Sequence, residues 1–470
     1  MTSTALGSLD AGTTRGAGAG APASGAASAS ASASRPALGR WAVAATVAGN
    51  ALEFYDFLTY SFFAVYIGRA FFPASDPFAN LLLSLATFGV GFLTRPLGGL
   101  LIGAYADRAG RRPALTLTIA LMSVGTLGLV LTPSYAAIGA AAPVLLVLAR
   151  LLQGLALGGE VGPSTAVLLE CAPSGRGGRM TSWQPASQGL AILAAGLVGL
   201  VLARLLGPQQ LADWGWRIAF ALGLVIVPVG IVIRRRLPET LERPGAGAAA
   251  DTTADKRADA RARGRSGAQV LRVLFTEHRT ALGLAIVVIM ALTISTYVTN
   301  FMTTYALTTL GMPASEAMWG TLANGAVMAG GALLGGVLSD RLGRRVVMIV
   351  PRALLMLMIY PSFVLLLELK TTAALVGVTA LLTALSVLSA AAALTAITEI
   401  FPNAVRSSGL AVSYALAVSV FGGSTQFVVA WLTHATGNPM SPAFYVMLSS
   451  ALSLWAMWRL PAARRGAPPA

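Results

Sequence analysis

The sequence predicts an all-α membrane protein of about twelve transmembrane helices, arranged as two pseudo-symmetric six-helix bundles. Three observations predict it. Of 470 residues, 56% are hydrophobic and only 11% charged, with a mean hydropathy of +0.72, whereas soluble domains carry about 25% charged residues. One charged stretch occurs twice: residues 103–112 read GAYADRAGRR and residues 336–345 read GVLSDRLGRR, 233 residues apart. The two copies share Gly, Asp, Arg, Gly, Arg and Arg at the same offsets. Apolar runs flank both copies, and each run reaches the roughly 20 residues that a bilayer span needs.

Taken in order, residues 1–38 are Ala, Gly and Ser with scattered Pro and no continuous apolar core. They read as a disordered cytoplasmic tail rather than a signal peptide or a span. Spans are expected at 41–68, 78–103, 114–131, 143–170, 181–206 and 216–233, forming an N-terminal bundle over 39–236. Residues 237–277 are basic and rich in Ala and Gly without an apolar period, so they are expected to be a cytoplasmic linker. Further spans at 280–305, 319–338, 346–367, 373–399, 407–434 and 441–458 complete a second bundle over 278–460, followed by a short cytoplasmic tail, 461–470.

The net charge is +15, and only two of the 33 basic residues are Lys. A nucleic-acid partner does not follow, because the basic residues fall in alternate loops. The opposite loops carry chiefly Arg69, Arg204, Arg217 and Lys370. That asymmetry is the positive-inside pattern, which places both termini and the linker in the cytoplasm of a bacterial inner membrane protein. The lone Cys171 allows no internal disulfide, and no Cys/His cluster suggests a metal. With only His278 and His434, and no GxxxxGKS phosphate loop, nothing points to an enzyme or a cofactor. The expected surroundings and partners are membrane lipid, small solutes and ions, with the chain acting as a monomer.

The duplicated turns carry Asp107, Arg108 and Arg111 in one half, and Asp340, Arg341 and Arg344 in the other. Each Asp can cap the following helix and hold nearby arginines. A second duplicated feature follows the fourth and tenth spans. ECAPSGRGG supplies Glu170 and Arg176, and EIFPNAVRSSG supplies Glu399 and Arg406. A carboxylate at a helix end with an Arg just beyond it suits a gate at the cytoplasmic face better than a mere cap.

Several long motifs in order resemble the metabolite–proton symporters of the major facilitator superfamily. They are the two GxxxDRxGRR turns, GNALEFYDF (49–57), RPLGG (95–99), RLLQGLALGGE (150–160), SWQ (182–184) and DWGWRIAF (213–220). Within that family, EIFPNAVRSSG and FGGST (421–425) look most like the citrate and tricarballylate carriers, which usually read FGGxTP. Here Gln426 replaces the proline. The resemblance covers about residues 40–460. It implies proton-coupled import of a small organic anion, most closely a tricarboxylate such as citrate or tricarballylate, by alternating access. Symport of a dicarboxylate, an aromatic acid or a betaine-type osmolyte is the alternative, as is proton-exchange efflux. A Gly-Pro element in the fifth span, usual in exporters of the superfamily, is absent here. A non-transporting sensor would have no need of buried carboxylates.

Charge inside a span costs at least about 2.5–3.5 kcal/mol at the bilayer centre, so each such residue asks for a role. Asn50, Glu53 and Asp56 recur at helical spacing on the first span and are expected to share a face. Glu53 or Asp56 can carry a proton, or can hold the span through a fixed ion pair. The fourth span offers Arg150, Gln153 and Glu160, with Gly154, Gly158 and Gly159 between them for close helix packing. Arg150 can pair with a carboxylate, bind an anion, or do both in turn, and the resemblance implies a coupling role. Candidate substrate contacts are Asn50, Arg95, Gln153, Gln184, Gln188, Tyr297, Asn300, Asn324, Tyr414 and Gln426. Each of these could instead make a helix–helix hydrogen bond. Arg352, about one and a half turns into the ninth span, is expected to snorkel to the cytoplasmic surface.

Overall fold

The computed structural model describes residues 40–109, 111–170, 177–235, 267–402 and 405–460. Among them there is no β-strand. Span 1 is Arg40–Phe62, continued after a break at Phe63 by Ala64–Phe71. Span 2 is Pro77–Leu93 and Arg95–Ala109 in succession. Span 3 is Arg111–Leu131, span 4 Ala141–Glu170, span 5 Trp183–Leu205 and span 6 Trp216–Arg235. The second half repeats the plan with span 7 at Arg279–Thr308, span 8 at Ala314–Leu342, span 9 at Arg344–Leu369 and span 10 at Thr372–Ile400. Span 11 runs from Arg406–Ala417 through a wider π turn, Val418–Gly422, into Gly423–Thr436, and span 12 is Ser441–Arg459.

Local chemistry sets these boundaries. Asp76 caps span 2 by accepting from the Phe78 amide at 3.0 Å, with Pro77 in the first turn where a missing N–H does no harm. Thr371 caps span 10 by accepting from the Ala374 amide at 3.2 Å. Spans 8 and 9 are joined by Gly343 alone, at φ +87°. Only a residue without a Cβ adopts that backbone cheaply, which explains the glycine in the GVLSDRLGRR turn.

The outer surface is apolar. Leu100, Leu131, Leu205 and Trp458 are each more than 65% exposed, at 69%, 67%, 76% and 73%. Apolar exposure on this scale belongs against lipid. Nine helices among the described residues are long and apolar enough to cross a membrane. Spans 1, 6 and 12 fall outside those nine, and span 1 is the one that carries Asn50, Glu53 and Asp56.

Two expectations are corrected. The linker was expected to reach residue 277, yet Gly267–Thr276 is helical, and Leu274 is buried against the second half. Its Leu271–Leu274 spacing is the start of a helical apolar period too short to register by pattern alone. Arg352 does not snorkel. It is fully buried, and its NH1 donates to the Ser295 hydroxyl on span 7 at 2.7 Å and to that of Ser450 on span 12 at 3.4 Å. The rotation of span 9 turns it into the bundle, a direction that depth along the helix does not reveal.

Candidate functional site

The site is built on span 1. Asn50, Glu53 and Asp56 are all buried, at 1%, 2% and 3% exposure. They do not share one face. Three residues advance a helix by about 300°, so six residues leave a mismatch of about 120°. Asn50 turns to span 5, where its Nδ2 donates to the Ser187 hydroxyl at 2.5 Å. Glu53 and Asp56 turn to span 3. Thr118 donates to Glu53 Oε1 at 2.9 Å, and Thr126 donates to Asp56 Oδ2 at 3.0 Å. Thr118 and Thr126 are eight residues apart and so lie on one helical face, which is the sequence signal that would have found them.

Span 6 closes the other side of these carboxylates. A Cβ on Gly223 would stand 1.9 Å from Asp56 Oδ1, so only glycine admits the carboxylate. Between spans 1, 3 and 6 lies a pocket of about 20 Å³, lined by Glu53, Asp56, Ile119, Met122, Ser123 and Gly223.

A hydrogen-bonded chain leads from Asp56 to span 4. Gln153 Nε2 donates to the Thr126 hydroxyl at 2.8 Å, and Arg150 NH1 donates to Gln153 Oε1 at 2.7 Å. The Gln153 amide, a candidate substrate contact, is therefore engaged at both ends inside the protein. Arg150 is fully buried. Its guanidinium carbon lies 4.4 Å from the ring centres of both Phe57 and Tyr60.

A second guanidinium shares Phe57. Arg95 lies 4.5 Å from that ring centre and 3.9 Å from that of Phe92. The two guanidinium carbons are thus within about 9 Å of each other, the limit set by their distances to one ring. Each arginine keeps its Nε and NH2 buried and without a hydrogen-bond partner. Among the described residues the ion pair is Arg344 with Glu399, so neither Arg95 nor Arg150 faces a carboxylate there. The second half adds Tyr297, which meets Phe92 edge-on at 5.3 Å and feels both arginines, and Tyr414, which feels Arg95.

Other candidates are placed elsewhere. Asn324 donates to Asn300 at 2.7 Å and accepts from Thr383 at 2.8 Å, a closed network tying spans 7, 8 and 10. Gln426 donates across the halves to the Ser61 hydroxyl at 2.5 Å. Gln184 and Gln188 sit half-buried on span 5, and Gln184 Nε2 lacks a partner. At the end carrying the charged turns, Asp340 is exposed and packs against Gly178 just before span 5. Arg341 is also exposed there, and Arg344 pairs with Glu399. At the opposite end, the rings of Phe78 and His434 stack at 3.8 Å and 13°. Arg176 and the side chains of Asp107, Arg108, Arg111, Glu160, Glu170 and Arg406 lie outside the described residues.

Comparison with known proteins agrees with this architecture. The family description "Sugar (and other) transporter" matches residues 41–465. A citrate-proton symporter of Klebsiella pneumoniae is 36% identical over 415 residues, covering 88% of this chain and 90% of that protein. A proline/betaine transporter of Escherichia coli K12 is 34% identical over 424 residues, covering 88% and 82%. A solved D-xylose-proton symporter superposes with a TM-score of 0.70 at 19% identity, covering 91% of this chain and 99% of that one. Twelve helical spans in two halves among the described residues, buried charge on spans 1 and 4, and these relationships together make the chain a multi-pass, proton-coupled transporter, not an enzyme. It belongs to the sugar (and other) transporter family of the major facilitator superfamily, among metabolite–proton symporters that resemble the citrate symporters.

Proposed function

We propose that the protein imports a small organic acid with protons across the bacterial inner membrane, with both termini in the cytoplasm, and that a tricarboxylate such as citrate or tricarballylate is the first candidate. One observation carries this reading: Arg95 and Arg150 approach one aromatic ring with unpartnered N–H groups and no carboxylate partner among the described residues. An uncompensated buried cation costs several kcal/mol, and an anion carrying more than one carboxylate offsets two of them. The similarity to a citrate-proton symporter supports the same choice.

A betaine-type substrate is the second reading, favoured by the similarity to a proline/betaine transporter. A quaternary ammonium wants open aromatic faces. Here Phe57, Tyr60 and Phe92 are already covered by guanidinium groups, which favours an anion. Asp56 is the proton carrier in this scheme. Its carboxylate is linked through Thr126 and Gln153 to Arg150, so its charge bears on the substrate arginine. Glu160 and the charged ends of spans 2, 4, 8 and 10 supply further coupling and gating groups.

Uptake into proteoliposomes from a panel of labelled citrate, tricarballylate, dicarboxylates, aromatic acids and glycine betaine tests the substrate. Asp56→Asn tests the coupling. It keeps size and hydrogen bonding but cannot titrate, so proton-driven accumulation should vanish while exchange of labelled for unlabelled substrate continues. Uphill uptake by Asp56→Asn would remove Asp56 as carrier. Accumulation of betaine alone would overturn the anion.

A further inference from the structure

The two oxygens of Asp56 face different surroundings. Oδ2 accepts from Thr126 and so connects to Arg150. Oδ1 is buried without a partner, against Gly223, and Asp56 lines the pocket that Glu53 also lines. At about 20 Å³ that pocket has room for about one water molecule. Glu53 stands one turn, about 4.5 Å along the axis, toward the N-terminal end of span 1. In the proposed orientation that end is cytoplasmic.

The matched place in the second half is different. The duplicated turns are offset by 233 residues, so Arg352 occupies the position of Ile119, a lining residue of the pocket. There the guanidinium reaches Ser295 on span 7 and Ser450 on span 12, where the first half has spans 1 and 6. One half therefore holds two carboxylates around a water-sized space, and the other fills the same place with a fixed cation. A permanent positive charge repels an excess proton. Among the described residues, the matched place in the second half holds no carboxylate pair.

We infer that the coupling proton travels inside the N-terminal bundle, from Asp56 through a water in this pocket to Glu53, apart from the substrate path between the halves. This inference rests on the proposed proton-coupled uptake and names its route. The transfer balances. Asp56 gives its proton to the water as the water gives one to the Glu53 carboxylate, leaving Asp56 ionised beside Thr126 and Glu53 neutral. Glu53 then releases the proton toward the cytoplasm. Among the described residues, the other ionisable groups near Asp56 are Tyr55, whose hydroxyl donates to the Ala219 carbonyl at 2.7 Å, and Arg150 beyond Gln153. Of the described residues, span 3 presents Ile119, Met122 and the Ser123 hydroxyl to the pocket, and span 6 presents Gly223.

Ser123→Leu fills the pocket from span 3 without touching Thr118 or Thr126, the hydroxyls that donate to the two carboxylates. Glu53→Gln keeps an acceptor for the Thr118 hydroxyl but cannot carry a proton. Each variant is reconstituted with a pH dye inside the vesicles and given the acid from the panel that the wild type accumulates. Substrate-driven proton entry should fall about 100-fold, the lower range of what a positioned proton carrier contributes, while counterflow of labelled acid continues. Wild-type proton entry in both variants overturns the route and leaves the uptake function standing. Joint loss of counterflow and proton entry in Glu53→Gln also overturns it, because a route residue is silent in exchange. If the wild type admits no protons with any acid of the panel, the uptake function fails, and the route with it.

Discussion

Gln153→Leu isolates the link between proton and substrate. The side chain accepts from Arg150 at 2.7 Å and donates to Thr126 at 2.8 Å, and Thr126 in turn donates to Asp56. Leucine fills nearly the same volume and breaks both bonds. A hydrogen bond to a charged group is worth about 1.5–3 kcal/mol, which corresponds to roughly 10- to 160-fold in an equilibrium. That is the largest factor by which protonation of Asp56 can change substrate affinity through this chain, and linkage makes the effect reciprocal. The Thr126 hydroxyl donates to a charged acceptor when Asp56 is ionised and to a weaker, neutral one when Asp56 is protonated, so protonation loosens the chain that ties Arg150 to the carboxylate. In the wild type, substrate should therefore bind more tightly as pH falls. In Gln153→Leu the dependence should flatten while binding at low pH survives, since Arg95 and Arg150 remain. The assay is calorimetric titration of purified protein between about pH 5 and 8, with affinities referred to the concentration of the fully ionised acid. A variant that keeps the wild-type slope refutes the link. Loss of binding at every pH refutes it too, and would make Gln153 a substrate contact.

At the charged end, Asp340→Ala removes the carboxylate that packs against Gly178, and Asp107→Ala makes the matched change in the first half. Both variants should reach the membrane folded yet transport slowly, and full uptake rates in both would dismiss a gate there. Deleting residues 245–266 should change uptake little, because doubling a flexible loop alters its closure free energy by only about 0.6 kcal/mol. Inactivity at normal expression would instead assign that basic segment a specific contact.

How much of this was legible in the sequence follows from what each property depends on. The spans were legible because a helix in lipid must satisfy its own backbone and present apolar side chains, constraints written residue by residue. The two halves were legible because the GxxxDRxGRR turn needs its glycine at φ +87° and its charges in water, here at Gly343 and its neighbours. The residue types of the site were legible too, since Asp56, Arg150 and Arg95 are costly in hydrocarbon. Their partners were not. Which neighbour a side chain meets depends on helix rotation, and a 60° drift per three residues separates Asn50 from Asp56, sending one to Ser187 and the other to Thr126. Arg352 shows the same limit, since its depth suggested the surface while its rotation buries it between Ser295 and Ser450. Sequence duplication would also suggest that the halves do the same work, because their turns match. The interiors argue otherwise. The position that is Ile119 beside two carboxylates in one half is a buried guanidinium in the other, so a fold built by repetition has placed different charge at matched positions. That difference at one matched place is what the proposed route needs: two carboxylates beside a water-sized space in the first half, and in the second a guanidinium held by Ser295 and Ser450.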